Sequence, residues 1–280
     1  VHGLFLVPPP AAQPDGGGLY VVTGQYRLPA ALTLPAGEGP FPAVVLVHGS
    51  GPHDMDETIG PNKPFRDIAN GLAARGIATL RYTKRTREYG ASLPAGITLR
   101  EETVEDALSA VALLRRTPKV DAKRIYVIGH SLGGYAAPRI GQADAAIAGL
   151  VLLAANTRPL DTLIDEQVRY LGGTAAQAAQ MKSAIPEAYR KELAAHNPVA
   201  IARRLAMPML ILQGERDYQV TMADFRDWQP LRSSRVTLKS YPLLNHLFQE
   251  GEGRSTPAEY QKAVPFSPAV IADIAAWINR

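Results

Sequence analysis

The sequence predicts an α/β fold in which helices cover both faces of a mostly parallel sheet. Short, continuously apolar runs such as residues 43–47 (AVVLV) alternate with longer segments whose apolar residues recur at helical spacing. A continuous apolar run is typical of a strand that is buried on both faces. Strands that alternate with helices favour parallel pairing through helical crossovers. With 280 residues, 46% of them hydrophobic, the chain can build one large core.

The predicted elements follow in order from residue 19. Strands are predicted at residues 19–23, 25–34, 43–47, 77–82, 125–128, 147–155, 208–213 and 235–241. Helices are predicted at residues 65–75, 99–116, 135–142, 222–229 and 268–278. The first helix stops before Gly76, because glycine readily adopts the left-handed backbone angles that end helices. We expect residues 19–156 and 207–280 to form the core.

Residues 157–206 interrupt the alternation, because they contain no strand pattern. Helical stretches are predicted there at residues 160–171, 175–184 and 187–195. We expect this segment to be a helical cap over the carboxyl edge of the sheet, with helices packed outside the core as the alternative. One apolar face of the first stretch should pack against the core and in part line an acyl pocket. It consists of Leu160, Leu163, Ile164, Val168, Tyr170 and Leu171.

Residues 1–18 are expected to be an N-terminal segment or linker, because they are rich in proline and glycine. The chain starts at Val1, and residues 3–7 are apolar, so a processed end, an upstream domain and an artificial boundary all stay open. Either a cytoplasmic or an exported location is compatible with this start. No apolar run reaches the roughly 18–20 residues that a membrane span needs.

Composition argues against several function classes. The net charge is +4, from 30 cations and 26 anions, and the cations are scattered, so no nucleic-acid partner is expected. The absence of cysteine excludes disulfides, thiolate metal sites and a cysteine nucleophile. No metal-binding or phosphate-binding motif is present, so no cofactor is expected. The oligomeric state is not predicted.

A sharp turn with a serine at its centre is predicted at residues 129–133, which have the pattern G-x-S-x-G. The turn follows an apolar strand and precedes an alanine-rich helical stretch, which is the context that this motif requires. Its glycines allow a strained turn and a close approach of helix to strand. Ser131 is therefore the candidate nucleophile.

A serine hydroxyl needs a base, and the base needs a group that orients it. In this architecture the partners follow in the order Ser, Asp, His, at the ends of later strands. Asp217 follows the strand predicted at 208–213, and His246 follows the strand predicted at 235–241. We predict that His246 is the base and that Asp217 orients it. The alternatives for the acid are Glu215, Asp224 and Asp227.

Acyl transfer also requires donors for the developing oxyanion. One donor should be the backbone N–H of Leu132, directly after the serine, and the other should come from the loop after an earlier strand. His48, Gly49, Ser50 and Gly51 form that loop. We assign the second donor to the N–H of Ser50. His130, inside the serine turn, is expected to have a packing or supporting role.

Taken together, these motifs resemble the α/β-hydrolase superfamily over about residues 20–280, and bacterial serine esterases of the dienelactone-hydrolase-like or acyl-peptidase-like group in particular. The matching segments are residues 47–52, 54–57, 61–64, 81–85, 129–134 and 213–217. The resemblance implies the α/β-hydrolase fold, a Ser-Asp-His triad and cleavage of carboxylic esters with short acyl chains. True dienelactone hydrolases use a cysteine nucleophile, which this chain lacks.

Two other functions remain open from the sequence. An acidic loop at residues 54–57 could bind a substrate amine, which would favour an aminopeptidase or acyl-peptide hydrolase on the same triad. We favour a structural role for the loop, in which its acids pair with Arg81, Lys84 and Arg85. The third possibility is a small-molecule binder that uses the fold without hydrolysis.

Overall fold

The computed structural model describes residues 18–280, so most of the predicted N-terminal segment lies outside the described residues. The strands are β1 (Leu19–Thr23), β2 (Tyr26–Thr33), β3 (Phe41–Val47), β4 (Ala78–Tyr82), β5 (Val120–His130), β6 (Gly149–Leu153), β7 (Met209–Gly214) and β8 (Val236–Tyr241). They form one sheet in the order β1-β2-β4-β3-β5-β6-β7-β8. β2 is antiparallel to β1 and β4, and every other pair is parallel. The predicted α/β fold with a mostly parallel sheet is confirmed.

Helices cover both faces of this sheet. They are α1 (Pro64–Ala73), α2 (Arg85–Tyr89), α3 (Asp106–Arg115), α4 (Leu132–Ala143), α5 (Leu160–Tyr170), α6 (Ala175–Ser183), α7 (Glu187–Ala194), α8 (Pro198–Ala202), α9 (Met222–Trp228) and α10 (Pro268–Ile278). The core lies in two layers, one under α3, α4 and α9 and the other under α1 and α10. Val45 and Val47 of β3 belong to the first layer, whereas Val44 and Leu46 belong to the second. The apolar run of β3 is continuous because both of its faces are buried.

Two local features differ from the prediction. β5 begins at Val120 rather than at residue 125, because the polar residues Asp121, Lys123 and Arg124 interrupt its apolar pattern. A π-helical turn at Arg100–Glu105 precedes α3 inside the segment predicted as one α-helix. Such turns are rare and occur often at functional sites.

Helices α5 to α8 lie within residues 157–206 and carry a small apolar cluster of their own. This cluster consists of Ile164, Val168, Ala178 and Ile185. The hydroxyl of Tyr135 on α4 donates to the carbonyl oxygens of Leu193 and His196, at 2.6 and 2.7 Å, and thereby holds the α7 region against the body. Within residues 18–280, every helix is too short or too polar to cross a membrane.

Candidate active site

Ser131 lies at the turn between β5 and α4 with φ of 53° and ψ of −116°. A positive φ at a residue with a side chain is strained, and such strain is common at catalytic turns. The N–H of Ser131 donates to the carbonyl oxygen of Leu153 at 2.8 Å, which fixes the turn on the neighbouring strand. A Cβ on Gly133 would collide with the carbonyl oxygen of Val47, and one on Gly129 would collide with Gly133. Both glycines are therefore required for the close packing that this turn needs.

Asp217 and His246 meet although 29 residues separate them in the chain. Oδ2 of Asp217 lies 2.6 Å from Nδ1 of His246, and both residues are about 5% exposed. Oδ1 of Asp217 accepts hydrogen bonds from the N–H groups of Gln219 and Val220, at 2.7 and 3.0 Å. These bonds aim the carboxylate at the imidazole, as an orienting acid requires.

The alternative acids have other partners. Glu215 accepts a hydrogen bond of 2.7 Å from the hydroxyl of Ser240 at an exposed position. Asp224 is fully buried and pairs with Arg158 at 2.8 Å. Asp227 accepts from the hydroxyl of Thr157 at 2.7 Å. The geometry therefore favours Asp217 over all three as the partner of His246.

Ser131 and His246 line the same cavity. Among the described residues, the Ser131 hydroxyl makes no hydrogen bond with the imidazole, whereas the Asp217–His246 bond is formed. Catalytic hydrogen bonds are often long or poorly aligned without substrate and tighten in the reacting complex. The assignment of Ser131, His246 and Asp217 as a triad stays a prediction that this arrangement supports.

Leu132 and Ser50, the two predicted oxyanion donors, also line this cavity. Leu132 is the first residue of α4, where a backbone N–H has no partner within the helix. Within residues 18–280, neither the N–H of Leu132 nor that of Ser50 donates to another protein group. The neighbouring N–H of Gly49 is already used, because it donates to Glu57 at 2.7 Å. The arrangement leaves Ser50 and Leu132 available to an oxyanion.

The acidic loop is held by partners within the protein. Asp56 pairs with Arg81 and Lys63, and Asp54 accepts hydrogen bonds from Thr58. Glu57 is buried beside His130. The expected pairing of the loop is right for Arg81, whereas Lys84 and Arg85 pair instead with Glu102 and Asp106. In the described part of the chain, no group of acids and histidines could hold a metal ion.

His130 is a supporting residue whose contacts the sequence did not specify. Its Nδ1 lies 2.9 Å from Oε2 of Glu57, at ion-pair distance, and its Nε2 lies 3.0 Å from the carbonyl oxygen of His246. Burial opposes a charge on His130, but the Glu57 carboxylate outweighs it and raises the pKa of His130. Burial likewise opposes the charge on Glu57, yet His130 lowers the pKa of this carboxyl to about 2. The pair connects the serine turn to the loop that carries His246.

Two further histidines support the loop after β3 in their neutral form. Burial lowers the pKa of His48 to about 3, and it also lowers the pKa of His53. Nε2 of His48 lies 3.0 Å from the carbonyl oxygen of Asp54, and Nε2 of His53 lies 2.6 Å from that of Ser50. Both rings therefore brace the backbone of this loop without adding charge beside the oxyanion donors.

The cavity has a volume of about 670 Å³ and lies between helices α5 to α7 and the body of the protein. Four residues of the predicted apolar face line it: Leu160, Leu163, Ile164 and Leu171. Val168 packs inside the cap cluster, and Tyr170 stacks on Tyr218 with ring centres 4.9 Å apart. Polar and charged side chains line the cavity as well, among them Arg158, Arg190 and His196. A cavity of this size is within the range of small-molecule sites.

Comparisons with known proteins agree with this fold. The chain is 43% identical to Esterase EstD of Thermotoga maritima over 274 residues, covering 90% of this chain and 66% of EstD. The chain thus spans slightly less than two thirds of that relative's length. The solved structure of Est1E from Butyrivibrio proteoclasticus matches with a TM-score of 0.64 at 16% identity, covering 94% of this chain and 99% of Est1E.

A structure of the Pyrococcus furiosus esterase Pf2001 matches with a TM-score of 0.62 at 18% identity, covering 88% of this chain and 91% of Pf2001. At such identities, the similarity to solved structures concerns the fold. Residues 44–274 match the sequence pattern of the alpha/beta hydrolase family. This range contains the last four residues of β3, the serine turn, Asp217 and His246. The chain belongs to the alpha/beta hydrolase family.

Proposed function

We propose that this protein is a serine carboxylesterase that cleaves small carboxylic esters through an acyl-enzyme intermediate. The observation that carries the proposal is the buried Asp217–His246 pair at 2.6 Å, which shares one cavity with the strained Ser131. A base that is oriented by a buried acid and opens onto the same cavity as a serine hydroxyl is the arrangement that nucleophilic catalysis by serine requires.

In the acylation step, Oγ of Ser131 attacks the ester carbonyl while Nε2 of His246 takes the hydroxyl proton. Asp217 accepts a hydrogen bond from the Nδ1–H of His246, which keeps Nε2 free as the base, and the carboxylate stabilises the imidazolium that forms. The C–O bond to the alcohol then breaks, and His246 returns the proton to the departing alkoxide. The acyl group remains on Ser131.

The carbonyl oxygen gains negative charge in this step and must be stabilised. The N–H groups of Ser50 and Leu132 are the proposed donors, and each such donor typically contributes about 3–4 kcal/mol to the transition state. In deacylation, His246 takes a proton from water, hydroxide adds to the acyl carbon, and the proton returns to Ser131 as the acid leaves. The same donors act in both steps.

The relative named Esterase EstD supports an ester as the substrate. The acidic loop gives no support to the alternative of an aminopeptidase. Its carboxylates are bonded to Arg81, Lys63, Thr58, Gly49 and His130, so binding a substrate amine would require breaking these contacts. The part of the cavity lined by Leu160, Leu163 and Ile164 of α5 is apolar and suits an uncharged acyl or alcohol group.

A fluorophosphonate probe with peptide mass spectrometry tests the proposal. Wild-type protein should be labelled at Ser131 and should hydrolyse p-nitrophenyl acetate much faster than an aminoacyl anilide. Ser131→Ala should lose both labelling and turnover. Faster cleavage of the anilide would favour a peptidase, and a protein that resists labelling but is stabilised by small ligands would be a binder.

A further inference from the structure

A chain of polar side chains connects the cap to the loop that follows β3. The hydroxyl of Tyr189 on α7 donates to Oε2 of Glu102 at 2.7 Å. Oε1 of Glu102 lies 3.0 Å from Nζ of Lys84, and this Nζ donates to the carbonyl oxygen of Gly49 at 2.9 Å. None of the three side chains lines the cavity, and the contact that joins them to the loop after β3 is the bond from Nζ of Lys84 to Gly49.

The Lys84–Glu102 pair is almost fully buried, at 2% and 6% exposure. Burial opposes the charge on Glu102, but Lys84 and the Tyr189 hydroxyl outweigh it and lower the pKa of Glu102. A buried ion pair often adds little stability compared with apolar residues of the same volume. Stability alone is therefore a weak reason for placing a lysine and a glutamate here.

The geometry of the peptide unit between Gly49 and Ser50 gives a stronger reason for a charged pair at this position. The peptide bond between Gly49 and Ser50 is trans and planar, so its C=O and N–H point in opposite directions. Because Lys84 binds the carbonyl oxygen of Gly49, the N–H of Ser50 must point away from Lys84. Glu57 holds the preceding N–H of Gly49, which fixes the loop from its other side.

We propose that Lys84 is a positioning residue for the oxyanion hole, and that Glu102 and Tyr189 connect it to the cap. The position of α7 relative to the body then determines the direction of the Ser50 N–H. This inference rests on the proposed esterase function, since it gives a role to the Ser50 N–H in that reaction. It assigns to the cap a part in transition-state stabilisation as well as in binding.

The first test removes both buried charges together, so that neither is left unpaired. The double variant Lys84→Met/Glu102→Gln keeps the approximate volumes and the acceptor for Tyr189. We expect kcat for p-nitrophenyl acetate to fall about 10–100-fold, less than the ~10²–10³ of a fully removed donor. KM should stay within about twofold, and a boronic acid that mimics the tetrahedral intermediate should bind weaker by the same factor as kcat.

The second test breaks only the contact with the cap. Tyr189→Phe removes the hydroxyl and keeps the ring, and we expect a loss of about 2–10-fold in kcat at unchanged KM. Tyr170→Phe is the matched control, because its hydroxyl also joins the cap to the body, donating to the carbonyl oxygen of Ser255 at 2.9 Å. Its kcat should stay within twofold of wild type.

The outcomes separate this inference from the proposed function. If wild type is neither labelled at Ser131 nor active on esters, the esterase proposal falls. If wild type is active and a folded double variant keeps its kcat and its boronate affinity, Lys84 does not position the donor. If the double variant does not fold, the Tyr189→Phe variant is the test of the proposal. Equal kcat values for Tyr189→Phe and Tyr170→Phe would then overturn the connection to the cap.

Discussion

Oε2 of Glu57 lies 2.9 Å from Nδ1 of His130, and both side chains are buried. Oε1 of the same carboxylate accepts the N–H of Gly49 at 2.7 Å, while Nε2 of His130 lies 3.0 Å from the carbonyl oxygen of His246. One ion pair therefore joins the loop after β3, which holds a predicted oxyanion donor, to the serine turn and to the loop of the predicted base. Because both groups titrate, the contribution of this pair to the stability of the fold depends on pH.

The Glu57–His130 pair should stabilise the fold most between about pH 4.5 and 6.5. The pKa of Glu57 is lowered from 4.5 to about 2, so its contribution is complete above pH 4.5 and is lost as the pH falls toward 2. The pKa of His130 is raised from 6.5, so its contribution is complete below pH 6.5 and is lost as the pH rises through the raised pKa.

The measurement is urea unfolding of wild type and Glu57→Gln from pH 5 to pH 10. The glutamine keeps an acceptor for Gly49 and removes the charge. The difference in unfolding free energy should be largest near pH 5.5 and should shrink as the pH rises. Glu250→Gln, at an exposed position, serves as the control. A difference that is constant across this range would show that His130 is not charged in the fold.

Asp217→Asn should lower kcat by roughly 10³–10⁴, since an amide favours the wrong tautomer of the base. Glu215→Gln, two residues earlier at the end of the same strand, should keep kcat within about twofold of wild type. Steady-state hydrolysis of p-nitrophenyl acetate measures both. If Glu215→Gln shows the larger loss, Glu215 rather than Asp217 is the orienting acid.

Asp224→Asn should affect stability rather than chemistry. Asp224 accepts the N–H of Thr157 at 2.9 Å and pairs with Arg158 at 2.8 Å, and so anchors the start of the cap segment to α9. We expect a loss of about 1–3 kcal/mol in unfolding free energy, because a buried polar partner is weakened. The pH profile of kcat should not change. A collapse of kcat without loss of stability would instead give Asp224 the orienting role.

Leu160→Trp should shift the substrate preference of the protein toward esters with shorter acyl chains. Leu160 is at the start of α5 and lines the cavity, so a larger ring there would occupy part of its roughly 670 Å³. Rates on p-nitrophenyl esters from acetate to octanoate should fall more for octanoate than for acetate. Leu243→Trp, at an exposed position, is the control. A uniform decrease along the series would place the acyl group elsewhere.

Much of the fold was predictable because burial leaves a local pattern in the sequence. β3 is buried on both faces and is therefore continuously apolar, and α1 carries a buried apolar stripe of Phe65, Ile68, Ala69 and Leu72. The start of β5 was missed because an exposed, polar strand end has no such pattern. The π-helical turn at Arg100–Glu105 was missed because its residues suit an α-helix equally well.

The candidate site was predictable where chemistry imposes order along the chain. Ser131 is recognised by the glycines that its turn requires, and Asp217 and His246 by their places after successive strands. The roles of Glu57 and His130 were not predictable in this way. Each lies in a segment that suits a simpler structural role, and only their contact reveals a shared function.

The order of strands and helices, the serine turn and the candidates for the triad can therefore be predicted from the sequence. These features depend on periodicity and on residue types at short range. The pairing of charges across the site becomes visible only in the folded chain. Lys84 contacts Gly49, which lies 35 positions earlier in the sequence, and Tyr189 contacts Glu102, which lies 87 positions earlier. Such pairs leave no periodic signal, because burial and distance become defined only after the chain has folded.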